Sequence, residues 1–449
     1  MLAAARGRLA PAVARAAGRS LLNVLGTAVS AAGSDAVRVL LAAAAEAGGA
    51  GPVTVPGLAR TLDPYWAALV IGTAAHLDDF DDTHLATVIH PGASALAAVA
   101  SLVPETAPSG AAFLGAFTAG CEAQLRIGCA VSPAHYDHGW HITGTCGVFG
   151  AAVAASALLG CDAGTTARAL SLAATMTAGH REAFGTMTKP LHAGKAAANG
   201  VLAARLAAAG LAGPADPLGP DGVLEVLAAG VDRDALGLGW PAGHRWELEL
   251  NTFKTYPCGV VAHPAMDAAI IASARIAELA GRAEISAVTL RCNPLVPELM
   301  GLEQPDDGLR SRFSARHGVA VGLLYGRAGL AEFSDTTATA PDVARLRALI
   351  TLDADPAVAR DAAVLRVSLR PAAQGSAGEW PPVEVTVEHT RGSAARPLTD
   401  DELLGKVRAL FGPVLGEHAA DRARDAIGKL PAAADTSALL AAIRPEERP

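Results

Sequence analysis

A mainly α-helical architecture is predicted: a large all-α domain completed by C-terminal helices, with a smaller α+β domain inserted between its two parts. Three observations carry this. From about residue 8 to 250, Ala, Leu and Val recur at helical spacing and period-2 alternation is almost absent. After about residue 280 the period changes to two, and beyond residue 396 it turns helical again. In chain order, Gly/Pro breaks such as Ala50-Gly-Pro52, Pro104-Glu-Thr-Ala-Pro108 and Gly213-Pro-Ala-Asp-Pro217 divide the first stretch into separate helices. Ile285–Cys292, Val364–Arg370 and Val383–His389 then alternate as half-buried strands do. Finally Pro397-Leu-Thr-Asp400 ahead of Glu402, Val407, Leu410 and Phe411 reads as a capped helix start. A helical tail behind a mixed unit is most simply explained by the chain returning to its first domain. This divides it into 1–255, 256–395 and 396–449.

At 449 residues the chain exceeds what one hydrophobic core usually organises, in keeping with two domains. Hydrophobic residues make up 51% and charged residues 18%, the balance of a compact globular protein. Aromatics are only 4%, so packing rests on Ala, Leu and Val, and abundant Ala lets helices approach closely. A net charge of −8 argues against nucleic acid as a partner, because no basic face is available to neutralise phosphates. The six cysteines, at 121, 129, 146, 161, 258 and 292, form no C-x-x-C pair and read as reduced thiols of a cytoplasmic protein. Met1–Ser20 is rich in Arg and Ala but lacks an apolar h-region and a cleavage signature, so a targeting role is not expected. No segment reads as a membrane span.

Against this apolar background, His76-Leu-Asp78-Asp79-Phe-Asp81-Asp82-Thr83-His84 and then His90-Pro91-Gly92 stand out. Three imidazoles and four carboxylates within fifteen residues mark either a metal site or an acid/base pocket, since such groups lose hydration on burial and must find partners. The D-D-x-x-D shape over 78–82 matches a magnesium-diphosphate motif, but no second metal motif accompanies it. Zinc or iron on His76, His84 and an aspartate is compatible with the spacing, yet no motif such as H-E-x-x-H is present. Eight of the 13 histidines lie between His76 and His192, among them His138 and His141 in the Gly-flanked loop 136–147 ahead of an Ala-rich helix. That loop could equally be a Gly-rich turn capped by its histidines. Arg outnumbers Lys by 31 to 5, so the retained lysines are informative. Lys189, Lys195 and Lys254 sit in polar, Pro/Gly-marked motifs, and burial lowers a lysine pKa as it cannot an arginine's.

Together these segments resemble the MmgE/PrpD family. The resemblance is carried by His76…Asp79-Phe-Asp-Asp-Thr83…His90-Pro91, Gly139-Trp-His141, Thr188-Lys-Pro-Leu-His192-Ala-Gly194, Phe253-Lys-Thr-Tyr-Pro257 and Phe313-Ser314, in that order. It implies a helical domain with an inserted α+β lid, a homodimer, and chemistry without metal or organic cofactor. It implies a pocket of Asp79, Thr83, His90, His141, Lys189 and Lys254 that moves a proton beside a carboxylate of a small di- or tricarboxylic acid. His141 and Lys189 are expected to transfer protons, and His90 and Lys254 to bind carboxylate with acid assistance. Asp79 and Thr83 would orient His90 or substrate. The chain departs from the family decarboxylase at Gly259, where a histidine is expected, and at His317, where a tyrosine ends Ser-x-x-Tyr. His317 is expected to supply the missing hydroxyl's function and His263 a further substrate contact. The leading expectation is a 2-methylcitrate dehydratase-like hydro-lyase. A cis-aconitate decarboxylase-like or iminodisuccinate epimerase-like enzyme stays open, as does a carboxylate-binding protein without catalysis.

Overall fold

The computed structural model describes residues 2–237, 245–279, 281–372, 380–416 and 418–446. Met1, the first residue of the Arg/Ala-rich start, lies outside them. The protein is mainly α, 58% helical with 11% strand. Eight of its longer helices form the first part: α1 (Pro11–Ser30), α2 (Asp35–Glu46), α3 (Pro64–Leu77), α4 (Pro91–Thr106), α5 (Gly110–Val131), α6 (Ile142–Leu158), α7 (Ala163–Ala174) and α8 (Thr188–Ala208). Two further helices, α9 (His263–Ala277) and α10 (Ala315–Tyr325), belong to the sheet-containing part. The chain then ends in α11 (Asp400–Leu415) and α12 (Ala419–Lys429), followed by a short helix.

Helix starts follow local chemistry. Asp63 caps α3 by accepting from the Tyr65 and Trp66 amides, and Thr399 with Glu402 forms a capping box on α11. By contrast, α4, α6 and α8 begin without a side-chain cap, and their first residues reach the candidate site instead. Helix α8 lies close against α3 because both carry glycine at the crossing: a Cβ on Gly72 would sit 2.7 Å from the Gly194 Cα. This approach sets the start of α8 beside residues 78 and 79, which follow α3. The helical core includes Leu25, Ile71, Leu96, Phe117 and Phe149 together with Leu404, Val407 and Phe411 from α11, so the C-terminal helices share one apolar interior with the first part.

Two short antiparallel pairs, β1 (Val53–Thr54) with β2 (Thr61–Leu62) and β3 (Asp82–Thr83) with β4 (Thr252–Phe253), lie outside the main sheet. The main sheet has the order β6-β5-β7-β8, built from β5 (Ala283–Cys292), β6 (Ile350–Ala354), β7 (Ala363–Pro371) and β8 (Trp380–Val387). Only β5 and β6 run parallel. The alternating segments of the sequence are β5, β7 and β8. Strand β6 was not expected, because its five residues, Ile-Thr-Leu-Asp-Ala, are too few for alternation to show. A second core, including Val288, Leu290, Leu365, Val319 and Phe333, lies between this sheet and helices α9 and α10.

One expectation about membranes is corrected. The stretch Val260–Ala277 is long and apolar enough to cross a bilayer by length and composition. Half of it is buried, and within it Asp267 accepts bonds from the Tyr256 and Thr390 hydroxyls and the Arg391 amide. It is placed as the core helix of the sheet-containing part.

Candidate active site

Three uncapped helix starts converge on one pocket. His90 is the residue ahead of α4, His141 the residue ahead of α6, and Lys189 the second residue of α8. All three line a cavity of about 60 Å³ with Asp79, Thr83, Val88, Tyr136, Phe184, Lys254, Gly259, Val260, Val261, Leu299, Met300 and Phe313. The positive ends of the three helix dipoles therefore favour an anion here and disfavour imidazolium and ammonium. The β3–β4 ladder pairs Thr83 with Thr252, which brings Lys254 to the same place from far along the chain.

Asp79 is the centre of charge. Its Oδ1 accepts from the Lys189 Nζ at 2.5 Å and lies 2.8 Å from the Lys254 Nζ and 3.9 Å from the His90 Nε2. Burial works to raise its pKa, but Lys189 and Lys254 outweigh burial and hold the carboxyl well below the usual range. For Lys189, burial and the neighbouring Lys254 lower the pKa against the pull of Asp79. The loop pays for this placement in backbone strain: Asp79 has φ 50° and the β-branched Val88 φ 53°, and both line the cavity.

Behind Asp79 runs a chain of imidazoles. Asp81 lies 2.8 Å from the His76 Nδ1 and 3.0 Å from the His90 Nδ1, and His90 also meets the Thr83 hydroxyl at 3.3 Å. The His76 ring stands 4.6 Å from that of His90 and stacks 5.5 Å from that of His141. His141 in turn meets His192 through their Nδ1 atoms at 2.9 Å. That contact requires one Nδ1 to donate and the other to accept, and the tautomer in which His141 donates leaves its Nε2 lone pair for a ligand. Burial lowers His90 to about 4, and burial with His76 and Lys189 holds His141 well below 6.5. Both are neutral bases at pH 7.

The four aspartates divide their work. Asp78 binds Arg312 of the sheet-containing part at 2.8 Å, while Asp79 and Asp81 serve the lysines and imidazoles. Asp82 is structural: it accepts from Ser20, Asn251 and the Gly92 amide, and burial pushes it up to about 7.

One expected contact lies elsewhere, and another borders the pocket. His317 is fully buried in the second core, where its Nε2 meets the Glu332 carbonyl at 2.8 Å and its Nδ1 the Arg347 guanidinium at 3.2 Å. Ser314 caps α10 by accepting the His317 amide, which turns that residue into the sheet's core and away from the pocket. His263 packs on Tyr256 and reaches the Cys258 carbonyl at 3.4 Å, lining an adjoining cavity of about 360 Å³. Lys195, unlike Lys189 and Lys254, does not line either cavity.

The larger cavity shares Val88, Tyr136, Lys254, Val260, Val261 and Leu299 with the small one and opens past Arg360 and Arg391. The inner chamber has room for only a few waters, well short of the roughly 300 Å³ or more of usual ligand pockets, so substrate needs the outer volume or movement of the cover. At the departure noted in the sequence, a Cβ on Gly259 would collide with the Met300 sulfur; the thioether fills the space where a side chain at 259 would grow.

Sequence reasoning missed His192 and Lys406. His192 lies three residues after Lys189 on one helix face, a spacing legible within the Thr188–Gly194 motif. Lys406 is one of the five lysines and is half-buried: it donates to the Asn23 side chain at 2.8 Å and to the carbonyls of Phe80 at 2.6 Å and Lys254 at 2.8 Å. It thereby ties α11 to both loops that carry the Asp79–Lys254 pair.

The ligand atoms of His76, Asp79, Asp81 and His90 lie within 4.8 Å of one another, the spacing of a metal site. The charges fit a cation poorly, since Asp79 already faces two ammonium groups and a third positive charge would be repelled by both.

Residues 3–235 match the model of the MmgE/PrpD N-terminal domain and residues 256–431 that of the MmgE/PrpD C-terminal domain. The chain is 31% identical over 310 residues to a cis-aconitate decarboxylase of Homo sapiens, a match covering 66% of this chain and 62% of that protein. A 2-methylcitrate dehydratase of Cupriavidus necator is 36% identical over 113 residues, covering 24% of this chain and 22% of the relative. A cis-aconitate decarboxylase-like protein of Aspergillus oryzae is 31% identical over 172 residues, 36% of either chain. With both domain models matched in order across most of its length, the chain belongs to the MmgE/PrpD family.

Proposed function

We propose that the protein is a lyase acting on a small di- or tricarboxylic acid, with dehydration of a 2-methylcitrate-like substrate as its reaction. The observation that carries this is the placing of Asp79 between Lys189 and Lys254, opposite the neutral His141 and His90. Substrate carboxylates take up the ammonium groups and the helix N-termini, and the apolar cover of Val260, Val261, Leu299 and Phe313 strengthens these interactions by excluding water. The Nε2 of His141 removes the proton next to a carboxylate, and the electron pair moves into that carboxylate beside Lys254. The carbon–oxygen bond then breaks as the Lys189 ammonium gives its proton to the departing hydroxyl, releasing water and the unsaturated acid. Each positioned proton carrier is worth roughly 10²- to 10⁴-fold.

A second reading, decarboxylation, is favoured by the longer matches to decarboxylases. Incubation with methylcitrate while following ultraviolet absorbance of the unsaturated product tests the leading reading, which no product at any concentration would sink. Carbon dioxide release from cis-aconitate would mark decarboxylation, solvent-deuterium exchange without dehydration an epimerase, and affinity without turnover a binding protein. The reading extends to a cytoplasmic homodimer, which light scattering checks by mass.

A further inference from the structure

We propose that His84, Cys129 and Glu247 bind one zinc ion outside the candidate pocket, clamping the loop 78–90 to helix α5. These residues come from three distant places: the turn after β3, the last turn of α5 and the 3₁₀ turn Glu247–Leu250. Their ligand atoms lie within 4.8 Å of one another. The His84 Nε2 is 3.2 Å from the Glu247 Oε2, and the Cys129 Sγ is 3.8 Å from the same oxygen. Tetrahedral zinc with bonds of about 2.0–2.2 Å to nitrogen and oxygen and about 2.3 Å to sulfur separates N from O by about 3.3 Å and S from O by about 3.6 Å. The triad therefore needs shifts of only tenths of an ångström along these two edges.

A second observation points to a ligand. The His84 Nε2 is buried and lacks a hydrogen bond, although the ring's other nitrogen is satisfied by the Thr87 hydroxyl at 3.0 Å. The tautomer that donates from Nδ1 to the Thr87 hydroxyl leaves the Nε2 lone pair facing the Glu247 carboxylate, the form a metal ion takes up. In that tautomer two electron-rich atoms face one another, an arrangement that a cation between them stabilises. The outer arrangement matches a metal site's usual support: Thr87 orients the imidazole, and Glu122 holds the Glu247 and Leu248 amides at 3.1 and 3.2 Å. Glu247, with a side chain 26% exposed, leaves the ion a way in. No fourth protein ligand belongs to this group among the described residues, so water completes the tetrahedron. As the zinc–sulfur bond forms, the Cys129 thiol releases its proton to solvent. The Arg126 guanidinium, one turn before Cys129 on α5, acts on both Glu247 and Cys129, but it is itself paired with Glu122 at 2.7 Å, whereas both lysines at Asp79 bind the would-be ligand directly.

The test uses the whole chain, stripped with chelator and titrated with zinc by calorimetry and with cobalt(II) by absorption. One ion per chain is expected, with a rise in melting temperature and a thiolate-to-cobalt charge-transfer band in the unmodified protein. Cys129→Ser removes that band and weakens zinc binding on the order of 100-fold, whereas Asp81→Asn leaves both in place. Absence of binding, absence of the thiolate band, or loss of binding in Asp81→Asn overturns the proposal; a bare imidazolium–carboxylate pair gives the first result. The charge-transfer band is read on unmodified protein, so the test survives a variant that misfolds.

Discussion

The two walls of the candidate pocket are built on opposite principles. The helical wall presents Asp79, Thr83, His90, His141 and Lys189, each fixed by a partner and the last three also by a helix start. The wall from the sheet-containing part presents Gly259, Val260, Val261, Leu299, Met300 and Phe313, all without charge. Lys254 stands at the junction, held to the helical wall by Asp79 and by the Lys406 bond to its carbonyl. Proton transfer and charge binding therefore belong to the first wall, and water exclusion and shape selection to the second.

The contrast can be broken most sharply at Lys189. In Lys189→Ala, kcat should fall roughly 10³-fold while circular dichroism and melting stay near the parent's, because Asp79 keeps Lys254. Unchanged turnover would remove the helical wall from the chemistry. Removing the shared anion is a different injury: Asp79→Asn leaves two buried ammonium groups uncompensated and should cost about 3–5 kcal/mol of stability in denaturant unfolding.

Acid should act on the same wall. His90, at about 4 when folded against 6.5 free, is lowered on folding, so the unfolded chain takes up the proton first. Its contribution is complete above pH 6.5 and is lost as pH falls toward about 4, on the order of 3 kcal/mol for this residue alone. His192, also lowered to about 4, adds in the same sense, and melting followed from pH 7 to pH 4 should show the decline. A flat profile would mean that the imidazole chain is not buried neutral.

On the other wall the effects should be smaller and of another kind. Met300→Ala should change KM and the preference among acids of different size by about tenfold, with kcat altered far less. A collapse of kcat would give that wall a catalytic part. Smallest for activity is His317→Gln: the lost bonds to Glu332 and Arg347 should cost about 1–3 kcal/mol of stability with kcat unchanged, as befits a residue in the second core.

How far the site could be read in advance follows from range. Lys189 was legible because the chain uses lysine so sparingly, and His90 and His141 because each stands just ahead of an apolar run with proline or glycine beside it. Lys406 follows from the same scarcity but lay in a tail that offered no motif. The expected contact of His317 failed for a local reason: its place in Ser-x-x-His puts it one helical turn inside α10, where the face is decided by what α10 packs on.

The sequence alone determined the helical stretches and three of the four strands of the main sheet, since periodicity is a property of neighbours and their φ/ψ preferences. It also determined which groups were too costly to bury without purpose. Only the tertiary structure decided that Asp79 faces lysines 110 and 175 residues away, because that depends on the Gly72–Gly194 helix crossing and the two-residue β3–β4 ladder. It likewise separated His84 from His76, eight residues apart, into different clusters. The backbone takes positive φ at Asp79 and Val88 within this loop, and spacing along the chain cannot report where such turns send the residues around them.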